Sequence, residues 1–129
     1  MIKIINKGAK SHLPFSPAIQ AGDFVYVSGQ ASVDRETGAI ISGTFEEEVR
    51  RSIENIKVIL ESAELSLDHV INVKSYLAKE ENIKLYNSIY AEYFNQPTPT
   101  RSTIVNVLPS FIKFEIDCVA YSPQTRQEG

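Results

Sequence analysis

The chain has 129 residues, 43% of them hydrophobic, which suits one domain over residues 1–129 that ends in a polar tail at about 123–129. Its net charge of −3 and scattered basic residues argue against a nucleic-acid partner, which usually needs a concentrated basic face. Cys118 is the single cysteine, so no internal disulfide can form, and neither a signal peptide nor a bilayer-spanning apolar run is visible. We therefore expect a cytoplasmic protein without a membrane segment.

The first half of the chain predicts strands and then a long helix. The segments IKIIN and DFVYVSGQ are rich in β-forming residues, and DRETG, residues 34–38, predicts a turn or hairpin loop. Thr44 and Glu47 form a T-x-x-E capping box, which marks a helix start. A helix over about residues 45–64 is predicted from apolar residues at the helical period, namely Val49, Ile53, Ile56, Leu60 and Ala63.

The second half predicts a strand, a helix and two further strands. Residues 70–78 return to a period of two, with Val73, Ser75 and Leu77 on one face. A helix follows at about residues 80–94, and the last strands cover 102–107 and 113–121, joined by the LPSF turn. The inner side of this helix is predicted to carry Ile83, Tyr86, Ile89 or Tyr90, and Tyr93, before Pro97 and Pro99 end it.

The order β-β-β-α-β-α-β-β contains two βαβ crossovers, which place both helices on one face of a mixed sheet. We predict a two-layer α+β domain. The uncovered sheet face is expected to carry apolar residues, and we assign Val25, Val27, Val73 and Val105 to it. Because a large exposed apolar face usually marks an interface, the chain is expected to form a homo-oligomer.

Two charged residues stand at strand positions where charge is costly. Arg101 follows the rigid P-T-P-T segment, and its guanidinium matches a carboxylate with two parallel hydrogen bonds. A surface arginine paired with an acid is the alternative. Glu115 either belongs to a solvent-facing polar stripe or holds and polarises water in a partly dry cleft. Its strand alternates Lys113, Glu115 and Asp117 with Phe114, Ile116 and Cys118.

The remaining candidates carry less chemistry. His12 and His69 lack the spacing of metal ligands, and no second soft ligand accompanies Cys118, so no metal site is predicted. Cys118 is interpreted as a core residue. The SGQ segment, Ser28 to Gln30, is either a strand end with a bulge or a place where its glycine lets a ligand approach the backbone.

The segment PTRSTIVNVLPSFIKFEIDCVA resembles the signature of the RidA (YjgF, L-PSP) family of enamine/imine deaminases. The segments LPFSPAIQAGDFVYVSGQ, FEEEVRRSIENIKVILESAELSLDHVINVKSYL and YNSIYAEYF resemble other parts of the same family, so that the resemblance covers nearly the whole chain. It implies a chorismate-mutase-like α+β fold. It also implies a homotrimer whose sheets form an inner barrel, with three clefts between subunits.

The resemblance assigns roles to individual residues. It implies that Arg101 binds the substrate carboxylate, that Glu115 positions the hydrolytic water, and that the backbone of Ser28, Gly29 and Gln30 lines the cleft bordered by Tyr86. Two positions depart from the common pattern. Phe15 stands where many members have a tyrosine, and Thr103 stands where a cysteine is common; both are expected to contact the substrate and to affect substrate range.

The implied reaction is hydrolysis of 2-aminoacrylate and 2-aminocrotonate, through their imines 2-iminopropanoate and 2-iminobutanoate, to 2-oxoacids and ammonia. No metal or organic cofactor is expected. Two alternatives remain. The first is a non-catalytic protein that binds small 2-oxoacids or amino acids. The second is an L-PSP-type ribonuclease, which the acidic balance of the chain disfavours.

Overall fold

The computed structural model describes residues 2–6 and 14–122, so that His12 and the polar tail lie outside the described residues. The order of strands and helices agrees with the predicted β-β-β-α-β-α-β-β, but residues 18–21, which form a strand, were not among the predicted strand segments. Short 3₁₀ turns at Leu67–His69 and Glu80–Asn82 precede the fourth strand and the second helix. In chain order the elements are β1 (Ile2–Ile5), β2 (Ala18–Ala21), β3 (Phe24–Gln30), α1 (Phe45–Ser62), β4 (Val70–Leu77), α2 (Ile83–Tyr93), β5 (Thr100–Val105) and β6 (Phe114–Tyr121).

The six strands form one mixed sheet in the order β1-β2-β3-β6-β4-β5. Only β4 and β5 pair in parallel, and every other neighbouring pair is antiparallel. The connection through α1 passes over β6, whereas α2 joins the adjacent strands β4 and β5. Both crossovers place their helix on the same face, and the predicted two-layer α+β fold is confirmed.

Helix α1 begins at the predicted capping box. The Thr44 hydroxyl accepts a hydrogen bond from the Glu47 amide at 3.1 Å, and the Glu47 carboxylate accepts one from the Thr44 amide at 2.8 Å. Two amide donors that the helix itself cannot satisfy are thereby paired. The predicted apolar stripe is buried against the sheet, apart from Ala63, which is half-buried: Val49, Ile53, Ile56 and Leu60.

The predicted bounds of α2 and β5 are each shifted by a few residues. Residues 80–82, predicted to be part of α2, form a 3₁₀ turn, and α2 ends at Tyr93, before the two prolines. Strand β5 begins at Thr100 because the chain, already extended by the prolines, pairs there with Asn72 of the parallel strand β4. Within the described ranges, neither helix is long and apolar enough to cross a membrane.

The predicted residues of the uncovered sheet face are wrong. Val25, Val27 and Val73 are buried beneath the helices, and Val105 packs against the same core. The opposite face, which we call the open face, instead carries residues of the other parity, including Phe24 at 38% exposure and Tyr26 at 52%. Both parities of β3 carry apolar side chains, so its sequence does not indicate which one meets the helices.

One acid of α1 lies in the protein interior. Glu48 is only 1% exposed, and its two carboxylate oxygens accept hydrogen bonds from the backbone amides of Gly43 at 3.1 Å and Lys113 at 3.0 Å. The Lys113 ammonium lies 3.3 Å from the same carboxylate. Glu48 therefore joins the start of α1 to the residue that precedes β6, the strand that carries Glu115.

Candidate functional site

Arg101 and Glu115 lie on opposite faces of the sheet. Arg101 on β5 stands opposite Val73 of β4, whose side chain is buried under the helices. Glu115 on β6 stands opposite Tyr76 of β4, three positions further along and on the other parity. Because side chains of a strand alternate between faces, the two charged groups do not meet within one chain.

The Arg101 guanidinium rests on aromatic rings of α2. Its Cζ lies 4.9 Å from the ring centroid of Tyr86 and 4.8 Å from that of Tyr90, and Nη2 donates to Oδ1 of Asn87 at 2.6 Å. No carboxylate within residues 2–6 and 14–122 forms an ion pair with it. The described contacts of Arg101 are therefore all neutral, and its positive charge has no counter-ion in this part of the chain.

Arg50 shows the contrasting arrangement. It makes a bidentate ion pair with Glu92, at 3.0 and 3.1 Å, and a further ion pair with Glu46 of its own helix at 3.0 Å. This network ties α1 to α2 on the protein surface. Arg50 therefore fits the surface interpretation that was the alternative for Arg101, whereas the described surroundings of Arg101 do not supply the acid that this interpretation requires.

The two tyrosines beneath Arg101 differ in their hydroxyl groups. Tyr86 is fully buried, and its hydroxyl forms a hydrogen bond with the hydroxyl of Ser75. The Tyr90 hydroxyl is also buried but has no hydrogen-bond partner among the described residues. Burial raises the pKa of Tyr86 and raises that of Tyr90 to about 12, with the Arg101 charge opposing both shifts. Both rings are therefore neutral at physiological pH.

Thr103 follows Arg101 on the same side of β5, where it stands opposite Ser75 and is half-buried. The structure thus brings together Arg101, Tyr86 and Thr103 of the predicted site. Two partners of Arg101 were not predicted as site residues. Tyr90 was available from the sequence as the i+4 neighbour of Tyr86, whereas Asn87 carried no signal.

On the open face, Glu115 lies directly over Gly29. A Cβ atom added to Gly29 would overlap the Glu115 carboxylate, so a larger residue there would displace the end of the Glu115 side chain. Gly29 is not at positive φ, so close approach and not backbone conformation distinguishes this glycine. The register between β3 and β6 shifts between Val27 and Gln30, which confirms the bulge interpretation of the SGQ segment. The group that approaches Gly29 in this chain is the Glu115 side chain.

The Glu115 carboxylate is half-buried, and the pKa of its carboxyl is raised above the ordinary value. Burial is the main cause, and the neighbouring charge of Asp117 adds to it. Asp117 itself accepts a hydrogen bond of 2.8 Å from the Tyr76 hydroxyl, and burial raises the pKa of Tyr76 to about 12. A raised carboxyl pKa makes Glu115 a stronger proton acceptor than an ordinary glutamate, which suits it to accept and return a proton.

The segment that carries Phe15 is tied to the same open-face group. Ser28 donates from its hydroxyl to the Ser16 carbonyl at 2.6 Å and from its amide to the Pro17 carbonyl at 2.9 Å. Phe15, next in the chain, is 53% exposed, while the Gln30 side chain is buried and donates to the Ser28 carbonyl at 3.3 Å. Glu115, Gly29, Ser28 and the Phe15 segment therefore form one cluster.

Cys118 and His69 take no part in either cluster. Cys118 is 2% exposed, and burial raises the pKa of its thiol to about 12, so the reactive thiolate is absent at neutral pH. This agrees with its interpretation as a core residue. The His69 ring accepts a hydrogen bond from the Ser66 amide at the 3₁₀ turn. Within residues 2–6 and 14–122, no three His, Cys, Asp or Glu residues are grouped to hold a metal ion.

Known proteins match this chain over most of its length. The chain is 40% identical over 116 residues to a RutC family protein of Pyrococcus abyssi, covering 89% of this chain and 91% of that protein. It is 36% identical to the chloroplastic Reactive Intermediate Deaminase A of Arabidopsis thaliana, covering 83% of this chain and 58% of that one. It is 29% identical to a 2-iminobutanoate/2-iminopropanoate deaminase of Dermatophagoides farinae, with 82% and 84% covered.

The fold agrees with solved structures as well. The crystal structure of a putative endoribonuclease from Thermotoga maritima superposes with a TM-score of 0.85 at 33% sequence identity, covering 93% of this chain and 97% of that one. The family described as Endoribonuclease L-PSP matches residues 6–122. The resemblance seen in the sequence is thereby confirmed: the chain belongs to the L-PSP family, which includes the RidA/YjgF deaminases.

Proposed function

We propose that the protein hydrolyses small 2-imino acids, formed from the enamines 2-aminoacrylate and 2-aminocrotonate, to 2-oxoacids and ammonia. The observation that carries this proposal is Arg101, a partly buried residue whose guanidinium is held by neutral groups and lacks a carboxylate partner among the described residues. Such a group suits a ligand carboxylate. The names of the Arabidopsis and mite relatives support the reaction class.

The chemistry needs one anchor and one proton carrier. Arg101 binds the substrate carboxylate and withdraws charge from the adjacent imine carbon. Glu115 accepts a proton from water as the water oxygen bonds to that carbon, and it returns the proton to nitrogen. The hydroxyl of the resulting tetrahedral intermediate then gives its proton to the nitrogen by way of Glu115. The C=O bond forms as the C–N bond breaks, ammonia leaves, and the 2-oxoacid remains. The raised carboxyl pKa of Glu115 supports this role.

Because Arg101 and Glu115 occupy opposite faces of one sheet, we propose that each cleft combines the β5 side of one subunit with the open face of another. A homotrimer satisfies this requirement with three equivalent clefts. Support comes from the apolar residues on the open face, among them Ile19, Phe24, Tyr26 and Ile104. Light scattering is expected to give about three times 14.4 kDa, and a monomer at micromolar concentration would contradict the assembly.

The decisive assay generates 2-aminoacrylate or 2-aminocrotonate in place with a dehydratase and follows the excess rate of imine hydrolysis. Arg101→Ala should abolish that excess and weaken binding of pyruvate or 2-oxobutanoate by about 10- to 100-fold, since charged hydrogen bonds contribute about 1.5–3 kcal/mol each. Arg101→Lys should restore little because a point charge lacks the planar fork. Arg50→Ala is the matched control, because it removes an arginine that is already paired, and it should leave the rate unchanged.

A mixing experiment tests the shared cleft directly. Arg101→Ala and Glu115→Gln, each inactive alone, are unfolded together and refolded as a mixture. In a trimeric ring with one residue from each neighbour, every mixed trimer regains one intact cleft, and random mixing predicts roughly a quarter of the wild-type rate. If Arg101 and Glu115 instead acted from the same subunit, the mixture would stay inactive.

The same measurements address the two alternatives. A protein that binds 2-oxobutanoate through Arg101 but does not accelerate imine hydrolysis would be a metabolite-binding protein. Ribonuclease activity that co-purifies with the protein and disappears in Arg101→Ala would indicate the activity in the family description. The chain's net charge of −3 speaks against that second outcome.

A further inference from the structure

We infer that Asn87 and Tyr90 are positioning residues that hold Arg101 ready for a ligand carboxylate without neutralising its charge. This inference rests on the proposed function, because it assumes that Arg101 is the anchor for an anionic substrate. It concerns how the anchor is kept both oriented and unoccupied before the substrate arrives.

The contacts restrain the guanidinium from two directions. Tyr86 and Tyr90 are one helical turn apart on α2, their rings meet edge-on with centroids 5.6 Å apart, and both lie within 5 Å of Arg101 Cζ. The ring of Phe94 stacks on that of Tyr90, with centroids 4.3 Å apart, and restrains its plane. Asn87 then accepts from Nη2 at 2.6 Å on the exposed side of the helix. An arginine held in this way loses little further side-chain entropy on binding.

The chemistry of these holders decides what Arg101 can bind. Aromatic faces and an amide oxygen attract a cation but carry no net charge, so the full positive charge remains available. An aspartate at position 87 would place a carboxylate where the amide oxygen now lies. It would then occupy donors that a substrate carboxylate needs. Arg50, which two glutamates already bind, shows that outcome within the same molecule.

The two tyrosines allow ring and hydroxyl to be tested separately. The Tyr86 hydroxyl bonds to Ser75, whereas the buried Tyr90 hydroxyl has no partner among the described residues. Removing an unpaired buried hydroxyl costs little, so Tyr90→Phe should bind ligand like the wild type. Tyr90→Leu removes the ring face while keeping an apolar side chain, and it isolates the contribution of that face to holding Arg101.

The experiment measures binding of 2-oxobutanoate by calorimetry, with its uncharged primary amide as a control ligand. Asn87→Asp should weaken 2-oxobutanoate binding roughly tenfold, because a charged hydrogen bond exceeds a neutral one by about the free energy of one decade of affinity. Asn87→Ala should weaken it less, and Asn87→Asp should change binding of the uncharged amide by less than it changes binding of 2-oxobutanoate. Because Asn87 is exposed, neither change disturbs the core.

Tyr90→Leu should weaken 2-oxobutanoate binding by about three- to tenfold, the range of a partly desolvated cation–π contact. A nuclear magnetic resonance readout distinguishes positioning from loss of fold. Ring currents should shift the Arg101 side-chain protons upfield in the wild type and in Tyr90→Phe, and this shift should shrink in Tyr90→Leu. Equal affinities and equal shifts in the leucine and phenylalanine variants would overturn the role of Tyr90.

The outcomes separate this inference from the proposed function. If Arg101→Ala binds 2-oxobutanoate as tightly as the wild type does, the anchor itself is wrong and the proposed function fails. If Arg101→Ala binds weakly but Asn87→Asp binds as the wild type does, the anchor stands and the positioning role of Asn87 fails. Binding that falls equally in Asn87→Ala and Asn87→Asp would also contradict it, because charge would then not matter.

Discussion

Replacing Glu48 by glutamine should destabilise the protein far more than its place in a run of three glutamates, Glu46 to Glu48, suggests. The carboxylate is 1% exposed, and each of its oxygens accepts one backbone amide, from Gly43 at 3.1 Å and from Lys113 at 3.0 Å. Glutamine has one oxygen and one NH₂ group, so one of these amides must face another donor. The charge opposite the Lys113 ammonium is lost as well.

The magnitude follows from these contacts. An unsatisfied buried donor costs about 1–3 kcal/mol, and removing one partner of a buried ion pair costs about 3–5 kcal/mol. Because Lys113 is itself half exposed and can turn to water, we expect a loss of about 3 kcal/mol in the free energy of unfolding. With a urea m-value of about 2 kcal/mol per M, the unfolding midpoint should fall by roughly 1.5 M.

The assay is urea unfolding followed by circular dichroism at one fixed protein concentration, so that assembly affects all variants alike. Glu92→Gln is the matched control. It also removes a carboxylate that binds a cation, but that side chain is 58% exposed and its loss should cost less than about 1 kcal/mol. A midpoint for Glu48→Gln within error of that for Glu92→Gln would refute the reasoning from burial.

Further predictions concern three residues of the proposed cleft. In Glu115→Gln, turnover should fall with little change in ligand affinity. In the wild type, the raised pKa of the Glu115 carboxyl should place the acidic limb of the pH–rate profile above the usual glutamate range. An acidic limb within that range would contradict the burial argument. Because the pKa of Glu115 is raised in the folded protein, its contribution to the free energy of unfolding should decline as pH rises from the ordinary glutamate pKa through the raised one. Urea unfolding at several pH values should show this decline in the wild type but not in Glu115→Gln. Gly29→Ala should displace the Glu115 carboxylate and lower turnover in the coupled assay by up to about a hundredfold. Its free energy of unfolding in urea should change by less than about 1 kcal/mol. An unaltered rate would contradict the importance of the close approach between Gly29 and Glu115. Thr103→Cys should alter the preference between small and larger imines in competition assays but keep the reaction, and a variant with an unchanged preference would remove Thr103 from the cleft.

Most of the elements could be predicted from the sequence because apolar residues recur at clear helical and strand periods, but the four-residue strand β2 is too short to show such a period. The capping box at Thr44 and the apolar stripe of α1 fix one helix, and the two βαβ crossovers then place both helices on one face. In β6 the alternation also identifies the buried parity, because Glu115 and Asp117 alternate with apolar neighbours. In β3 the polarity of Phe24 and Val25 does not differ, so the face assignment failed there.

The candidate site was predictable only in part for a related reason. Arg101 and Glu115 stand out because charge interrupts apolar strands, and this signal is local. Their surroundings are not local: Asn87 lies 14 residues from Arg101 along the chain and reaches it only because α2 packs over β5. The burial of Glu48 follows a helical period that its acidic neighbours obscure, since Glu46 and Glu47 are exposed on the same turn.

In the proposed cleft between subunits, the placement of Arg101 and Glu115 on opposite faces would link ligand binding to assembly by mass action. A ligand that needs both residues binds two joined subunits and not a lone one, so each bound ligand lowers the free energy of the assembled state. Linkage is reciprocal, so assembly raises the ligand affinity by the same factor by which the ligand raises the subunit affinity. Dilution that separates the subunits would therefore release ligand. The specific activity should therefore fall at low protein concentration and recover when a saturating 2-imino acid holds the subunits together.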